Sequence, residues 1–179
     1  MVGLRQIKLI ELKNPNGFTL IELVITFLII AIVGVVALSP KHYLEQIRVT
    51  QAATKIKSDI RYTQSYALSS QKKTRIYFDA SSNSYSVYYE SSPGTWSITS
   101  DPLTKVNFTV NLGVGEYHGV SIVQANFDGI GNGLVFNAAG TPCSCGPGGG
   151  AVTVLFSQGV VTLNTGVVVT VEPNTGKVQ

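Results

Sequence analysis

Cysteine and histidine are scarce in this sequence, with two of each among 179 residues. Cys143 and Cys145 stand one residue apart in a glycine-rich stretch, and neither His42 nor His118 lies at a metal-ligand spacing from them. These numbers exclude a disulfide framework and a four-ligand zinc site, so no metal is expected. We interpret the cysteines as part of a flexible exposed loop. Outside the cytoplasm they could be oxidised, either to each other or between chains.

Charged residues are also few, at 13% of the chain against 44% hydrophobic residues. This composition excludes an intrinsically disordered chain, and the net charge of +3 is too small to indicate nucleic-acid binding by itself. The charge is uneven, because residues 41–75 hold eight Lys and Arg against two acids, whereas residues 76–179 hold two Lys against six acids. The two regions are either solvated surfaces or attract each other, within one chain or between copies.

Known patterns of catalytic residues are missing. The sequence has no Gly-x-Ser-x-Gly elbow, no phosphate loop and no supported pair of catalytic carboxylates. The segment DGIGNG from Asp128 resembles a calcium loop only in part, since it lacks the full acidic series and the closing glutamate, and it is typical of a glycine turn. We therefore predict that the protein is not an enzyme and has no cofactor.

A long apolar run is the most informative feature that is present. From Phe18 to Leu38 the chain has 21 residues, of which Glu22 alone is charged. As a helix the run would be about 30 Å long, which is the thickness of a bilayer's hydrocarbon core, and soluble helices are rarely this apolar on every face. We predict a transmembrane helix at residues 18–40. A secretory signal peptide is disfavoured because VGVVALSPK, at the end of the run, matches a cleavage site poorly.

The flanks of the run suggest an orientation and a partner for Glu22. The basic residues before the run predict a cytoplasmic N-terminus, with the rest of the chain outside. An acid at the centre of a span costs roughly 2.5–3.5 kcal/mol, and less near an edge, so such acids usually face a partner. If the chain were cut after Gly17, Phe18 would carry a new ammonium group one helical turn from Glu22. The ammonium of a neighbouring chain could then neutralise the carboxylate.

These residues resemble the prepilin leaders of the type IV pilin class, in which a glycine is followed by a sequence like FTLIEL and an apolar span. The resemblance implies that residues 1–17 are a leader peptide, that a membrane prepilin peptidase cuts between Gly17 and Phe18, and that Phe18 is then N-methylated. It also implies that Glu22 docks subunits during filament assembly. Pro40 lies close to the position where pilins often carry a helix-kinking proline.

Residues 41–73 are predicted to form an amphipathic helix that continues from the span. A narrow stripe of small and apolar residues recurs at helical spacing on one face, and basic residues flank it. The stripe consists of Val49, Ala53, Ile56, Ile60, Thr63 and Ala67. The basic cluster at 72–75 is expected to close this helix, because cations favour the negative end of the helix dipole.

From Thr74 onward the hydrophobic period changes to two. The strands at 75–78 and 85–89 flank the turn DASSN and predict a hairpin, and Trp96 with Ile98 marks another strand. Further strands are predicted at 119–127, 133–137, 151–156, 160–163 and 167–171. The expected fold is α+β, in which a long N-terminal helix, half transmembrane and half amphipathic, packs on an antiparallel β-sheet domain at residues 74–179.

The second half resembles the FimT/GspH family of minor pilins and pseudopilins. The similar pieces are RYTQSYAL from Arg61, the turns FDGIGNG and VFNAAG, and the ending VEPNTGKV. The resemblance implies a minor structural subunit of a type IV pilus or of a type II secretion pseudopilus. Its partners would be prepilin peptidase, other pilin or pseudopilin subunits and an inner-membrane assembly platform. The chain would cross the bacterial inner membrane once, with a periplasmic globular domain, and would join an extracytoplasmic filament after assembly.

The alternative function is a filament-tip binding module, which would contact DNA during uptake or a secreted substrate. Its support in the sequence is the basic stretch 72–75 and the aromatic residues Tyr88, Tyr89 and Trp96. Some DNA-uptake members of the family use a basic C-terminal tail, whereas the tail TGKVQ has only Lys177.

Overall fold

The computed structural model describes residues 17–37, 41–128, 131–145, 152–155 and 157–179. The chain divides into two units, Met1–Pro40 and Lys41–Gln179. Helix α1 belongs to the first unit, and the second unit contains helix α2 and two β-sheets.

Helix α1 spans Leu20–Ala37, inside the apolar run. Thr19 caps its N-terminus, since Thr19 Oγ1 accepts the N–H of Glu22 at 3.3 Å. Glu22 lies in the first turn, where the positive end of the helix dipole favours an acid. Among the described residues, no helix has both the length and the apolar character needed to span a membrane. The transmembrane assignment of 18–40 stays a prediction, and the predicted kink at Pro40 lies outside the described residues.

Helix α2 spans Lys41–Ser70, within the segment 41–73 for which an amphipathic helix was predicted. All six residues of the stripe found in the sequence are buried. Gln71 adopts the left-handed conformation, with φ of 52°, so the helix ends three residues before the predicted boundary. The predicted role of the basic cluster in closing the helix is wrong, because the last turn, which is fully described, contains no cation. Arg75 belongs to the following strand.

Ten strands form two sheets in the described part of the second unit. They are β1 (Thr74–Asp79), β2 (Ser84–Ser92), β3 (Thr95–Ile98), β4 (Thr109–Asn111), β5 (Ile122–Asn126), β6 (Gly133–Phe136), β7 (Pro142–Cys145), β8 (Val152–Val154), β9 (Gly159–Leu163) and β10 (Val168–Val171). Short 3-10 helices lie at Gly115–Tyr117 and Asn164–Gly166. Every pairing between these strands is antiparallel, as predicted.

The larger sheet has the order β3-β2-β1-β6-β7-β8, with β4 also paired to β2, and the smaller sheet has the order β10-β9-β5. Strands β1 and β2 form the predicted hairpin, in which Phe78 lies opposite Tyr85. Strands β4 and β7 were not predicted. Strand β7 corrects the interpretation of Cys143 and Cys145 as part of a flexible loop, because it pairs with β6 on one side and β8 on the other.

The hydrophobic core lies between α2 and the sheets, because α2 packs on β1, β6 and β10. Ile56 and Ile60 of the helix are fully buried, together with Phe78 of the larger sheet and Val161 of the smaller one. Burial of each such side chain stabilises the fold by roughly 1.5–3 kcal/mol. The narrow stripe of α2 therefore packs against both sheets.

One carboxylate is buried in this core. Asp59 of α2 is 4% exposed, and its Oδ1 lies 2.7 Å from Lys55 Nζ. Tyr85 Oη donates a hydrogen bond to Asp59 Oδ2 at 2.7 Å. Burial raises the pKa of Asp59, and the hydrogen bonds from Lys55 and Tyr85 offset this effect only in part. The folded domain therefore takes up a proton at Asp59 more readily than the unfolded chain does.

We expect Asp59 to make the domain more stable as the pH falls from 7 toward 4. Because the folded pKa lies above the unfolded value of 3.8, folding binds a proton in this window, and the free energy of unfolding rises as the proton is bound. Urea unfolding of the full chain in mild detergent, followed by the fluorescence of Trp96, measures the effect. The Asp59→Asn variant should lack this increase. A parallel pH dependence of the two proteins would contradict the assignment.

Candidate processing and assembly site

The predicted cleavage point lies in an exposed segment directly before α1. Gly17 and Phe18 belong to no helix or strand, and the side chain of Phe18 is 81% exposed. A Cβ atom added to Gly17 would meet none of the described atoms within 4 Å. The described part of the structure therefore places no steric requirement for glycine at this position.

Glu22 lies one helical turn from Phe18, on the first turn of α1. Its backbone bonds to the capping residue Thr19, and its carbonyl oxygen accepts the hydroxyl of Thr26 at 2.6 Å. The spacing of Thr19 and Glu22 is also that of a capping box, in which a glutamate or glutamine occupies the third helical position. The Glu22 residue is exposed in the single chain, so its carboxylate is accessible to another chain.

The large apolar side chains of α1 are also exposed. An open apolar cleft of about 260 Å³ is lined by Phe18, Leu23, Thr26, Phe27 and Ile30. Exposed apolar surface of this extent is typical of contact with another protein or with a membrane. The first unit therefore combines an accessible peptide bond, an accessible acid and an uncovered apolar helix.

The two cysteines lie in β7, two positions apart on one strand. Cys143 is buried beside Val135 and Trp96. Burial raises the pKa of this thiol, which disfavours the reactive thiolate. The side chain of Cys145 is not among those described, so a disulfide between the two stays a prediction.

The basic and aromatic residues proposed for a binding module contact one another. Arg75 is 8% exposed, and its guanidinium carbon lies 4.7 Å from the ring centres of both Tyr88 and Trp96. The ammonium of Lys72 lies 5.4 Å from the ring centre of Tyr89, and Lys73 Nζ is 3.4 Å from the Glu90 carboxylate. These contacts hold the outer side of the larger sheet together and do not leave the cations of 72–75 as one open basic patch.

Salt bridges and hydrogen bonds engage several acidic residues of the second unit. Of the two salt bridges among the described residues, Lys55–Asp59 lies within α2 and Lys73–Glu90 joins the basic region to the acidic remainder. Asp79 accepts hydrogen bonds from Ser81 and Ser82, which hold its pKa at about 2. Lys73–Glu90 is thus a salt bridge that joins the two charged regions within one chain.

The loop that resembles a calcium site contains Asp128, which bonds to the backbone N–H and the hydroxyl of Ser157. This arrangement fits a structural turn. No group of three or more metal-ligating side chains occurs within the residues that the structure describes.

Sequence reasoning missed a junction that joins three of the noted motifs. Gln64 Nε2 donates hydrogen bonds to Gly140 O and Thr175 O, each at 2.9 Å. Arg61 of the same helix donates to Val178 O at 3.1 Å. The segment from Arg61, the VFNAAG turn and the ending VEPNTGKV therefore meet on α2. The motifs were visible in the sequence, but their contact was not. The hydrogen bonds of Gln64 join residues that are separated by 76 and 111 positions in the chain.

Comparison with known proteins gives one family-model match, at the N-terminus, and one similar protein. Residues 12–38 match the family model described as the prokaryotic N-terminal methylation motif. The N-terminus is type IV pilin-like. The chain is also 41% identical over 71 residues to competence protein ComGD of Bacillus subtilis strain 168, a match that covers 38% of this chain and 49% of ComGD. The chain thus spans about half the length of the curated relative it matches. No solved structure matches it.

The type IV pilin-like motif includes Gly17, Phe18 and Glu22. Together with the similarity to ComGD, it supports a pilin or pseudopilin subunit of a type IV pilus-like system. Such proteins are structural subunits rather than enzymes, in agreement with the prediction. Neither match favours the binding module, and neither concerns the FimT/GspH family in particular.

Proposed function

We propose that this chain is a pilin or pseudopilin subunit that is processed at Gly17 and assembled into a filament through α1. The observation that carries this proposal is the arrangement at the start of α1. An exposed Gly17–Phe18 bond precedes the helix, Glu22 lies on the first turn, and the methylation motif covers all three residues. A processing enzyme needs the accessible bond, and a neighbouring subunit needs the accessible acid.

In this proposal prepilin peptidase removes residues 1–17 on the cytoplasmic side of the bacterial inner membrane and methylates Phe18. Residues 18–40 anchor the chain in the membrane, and the second unit is periplasmic before assembly. The uncovered apolar side chains of α1 support a segment that is covered by lipid before assembly and by other subunits afterwards. An inner-membrane assembly platform would transfer the subunit into the filament.

The finer identity is also part of the proposal. The motifs shared with the FimT/GspH family converge on Gln64, which is consistent with a common fold for the second unit. Because ComGD is named a competence protein, we place the subunit in a filament of the competence type ahead of a type II secretion pseudopilus.

The mass and the first residues of the mature chain test the processing step. We expect the chain isolated from its native cell to begin at Phe18 and to carry one extra methyl group, because cleavage frees the α-amino group that is methylated. N-terminal sequencing and intact-mass measurement are sufficient. A bulky Gly17→Val variant should remain uncleaved, and a Cβ at this position meets none of the described atoms within 4 Å. A mature chain that begins at Met1, or beyond residue 40, would overturn the proposed function.

A further inference from the structure

The loop between β3 and β4 presents apolar side chains to solvent from a rigid backbone. We call residues 101–107 the knob. Asp101 Oδ1 accepts the N–H groups of Leu103 at 2.7 Å and Thr104 at 3.1 Å, and the backbone of Asp101 bonds to Lys105 and Val106. Leu103 is nonetheless 86% exposed and Val106 is 64% exposed. Because the loop is already ordered, little further conformational entropy would be lost when it binds a partner.

The second unit also contains an open cleft, which is concave where the knob projects. We call this cleft the socket. Its volume is about 570 Å³, and it lies between the first part of α2 and the 3-10 helix Gly115–Tyr117. Its lining residues are Leu44, Ile47, Arg48, Gln51, Glu116 and Tyr117. Leu44 and Ile47 leave apolar surface uncovered in the cleft.

The charges of the knob and the socket are complementary. The knob carries Asp101 and Lys105, and the socket carries Arg48 and Glu116. None of these four side chains belongs to a salt bridge among the described residues. An apolar centre flanked by opposite charges on each side is the usual form of a small specific contact.

We propose that the knob of one subunit docks in the socket of a second copy of this chain within the filament. Leu103 fills the apolar floor beside Leu44 and Ile47, and Lys105 pairs with Glu116. The knob does not fill the socket of its own chain, since both are exposed in the same molecule. A patch that fits a different patch on the next copy produces a contact that repeats along an assembly.

The contact rests on the proposed function. One loop in one cleft buries far less surface than the roughly 1,200–2,000 Å² of a stable interface, so it cannot hold two free chains together. Subunits already joined through α1 are at high effective concentration, and a weak contact can then fix how neighbouring second units are oriented. We therefore expect the contact in assembled filaments and not between dilute chains in detergent.

Photo-cross-linking in cells that assemble the filament tests the proposal. A benzophenone amino acid replaces Leu103 in a tagged copy of the full chain, and an untagged copy is produced alongside it. Irradiation is expected to give a tagged–untagged dimer whose linked peptide contains residues 44–51 or 116–117. The same probe at Val123, which is 62% exposed on strand β5, should not link to these peptides.

A series of charge-exchange variants tests the proposed pairing of Lys105 with Glu116. Lys105→Glu and Glu116→Lys should each reduce the cross-link roughly three- to ten-fold, because each variant places like charges together, and the double variant should restore it. Cross-links to lipid, to a different protein or to no socket peptide, in filaments that assemble normally, would overturn the knob contact and leave the filament function standing. If the unchanged chain forms no filament at all, the filament function and the contact that rests on it both fail.

Discussion

Replacement of Glu22 by alanine is expected to reduce incorporation into filaments roughly a hundred-fold or more, while the chain still enters the membrane and is still cleaved after Gly17. The carboxylate is on the first turn of α1 and, in the proposed filament, faces the ammonium of a neighbouring subunit in an apolar environment. Loss of one partner from a buried ion pair costs about 3–5 kcal/mol, because the other charge is left uncompensated. Quantities of the chain in filament and membrane fractions measure the effect.

The Glu22→Gln variant separates two roles of this residue. As the third residue after Thr19, Glu22 also fits a capping box, and glutamine serves that role as well as glutamate does. A purely structural role therefore predicts that Glu22→Gln assembles normally. Docking to an ammonium predicts that it fails nearly as badly as alanine, since the amide carries no charge.

Ile21→Ala is a matched control, because it shortens a neighbouring exposed side chain of α1 without changing the charge. It should assemble close to normally. Normal assembly of Glu22→Gln would remove the docking role of the carboxylate, and equal failure of Ile21→Ala would show that any truncation of this helix is damaging.

Replacement of Gly176 by alanine is expected to destabilise the second unit by about 2–5 kcal/mol. Gly176 has φ of +68°, which an L-residue adopts at a cost. The added Cβ would lie 2.7 Å from Gln64 Nε2 and 2.9 Å from Phe136 Cε1. Gln64 cannot move away without losing its hydrogen bonds to Gly140 and Thr175, and the ring of Phe136 is fully buried.

Gly94→Ala is the control for this prediction. Gly94 has a similar φ of +78°, but a Cβ there would meet no atom within 4 Å. The backbone cost alone is about 1–2 kcal/mol, so Gly94→Ala should be clearly less destabilising than Gly176→Ala. Urea unfolding in mild detergent, read at the single tryptophan Trp96, gives both values, and an unchanged slope shows that stability alone has changed. Equal losses for the two variants would mean that the Gln64 junction is not tightly packed.

Strong local patterns in the sequence were sufficient to predict much of the fold. The stripe from Val49 to Ala67 predicts α2 because six buried residues repeat at the spacing of one helix face. The β1–β2 hairpin follows from alternation on both sides of a turn-forming segment. Strand β7 was missed because PCSC has little β-propensity. It is a strand because β6 and β8 supply hydrogen bonds on both sides.

The end of α2 was misplaced for a related reason. The cations after Ser70 fit the dipole rule for a helix end, but Gln71 adopts a left-handed conformation and β1 begins at Thr74. Pairing of β1 with β2 and β6 along its length outweighs the weak preference of Arg75 for a helix terminus. Strand pairing is a tertiary effect and has no signal in the charge pattern.

The sequence by itself determined the chemistry of the N-terminus. The positions of Gly17, Phe18 and Glu22 relative to an apolar run are local, and in the proposed function a processing enzyme and neighbouring helices recognise the segment by this order and spacing. Only the tertiary structure decided that Arg75 is enclosed by aromatic rings, that the tail bonds to Gln64, and that the knob and the socket remain uncovered. The physical reason is that these features depend on residues far apart in the chain, which approach each other only when the core beneath α2 is packed.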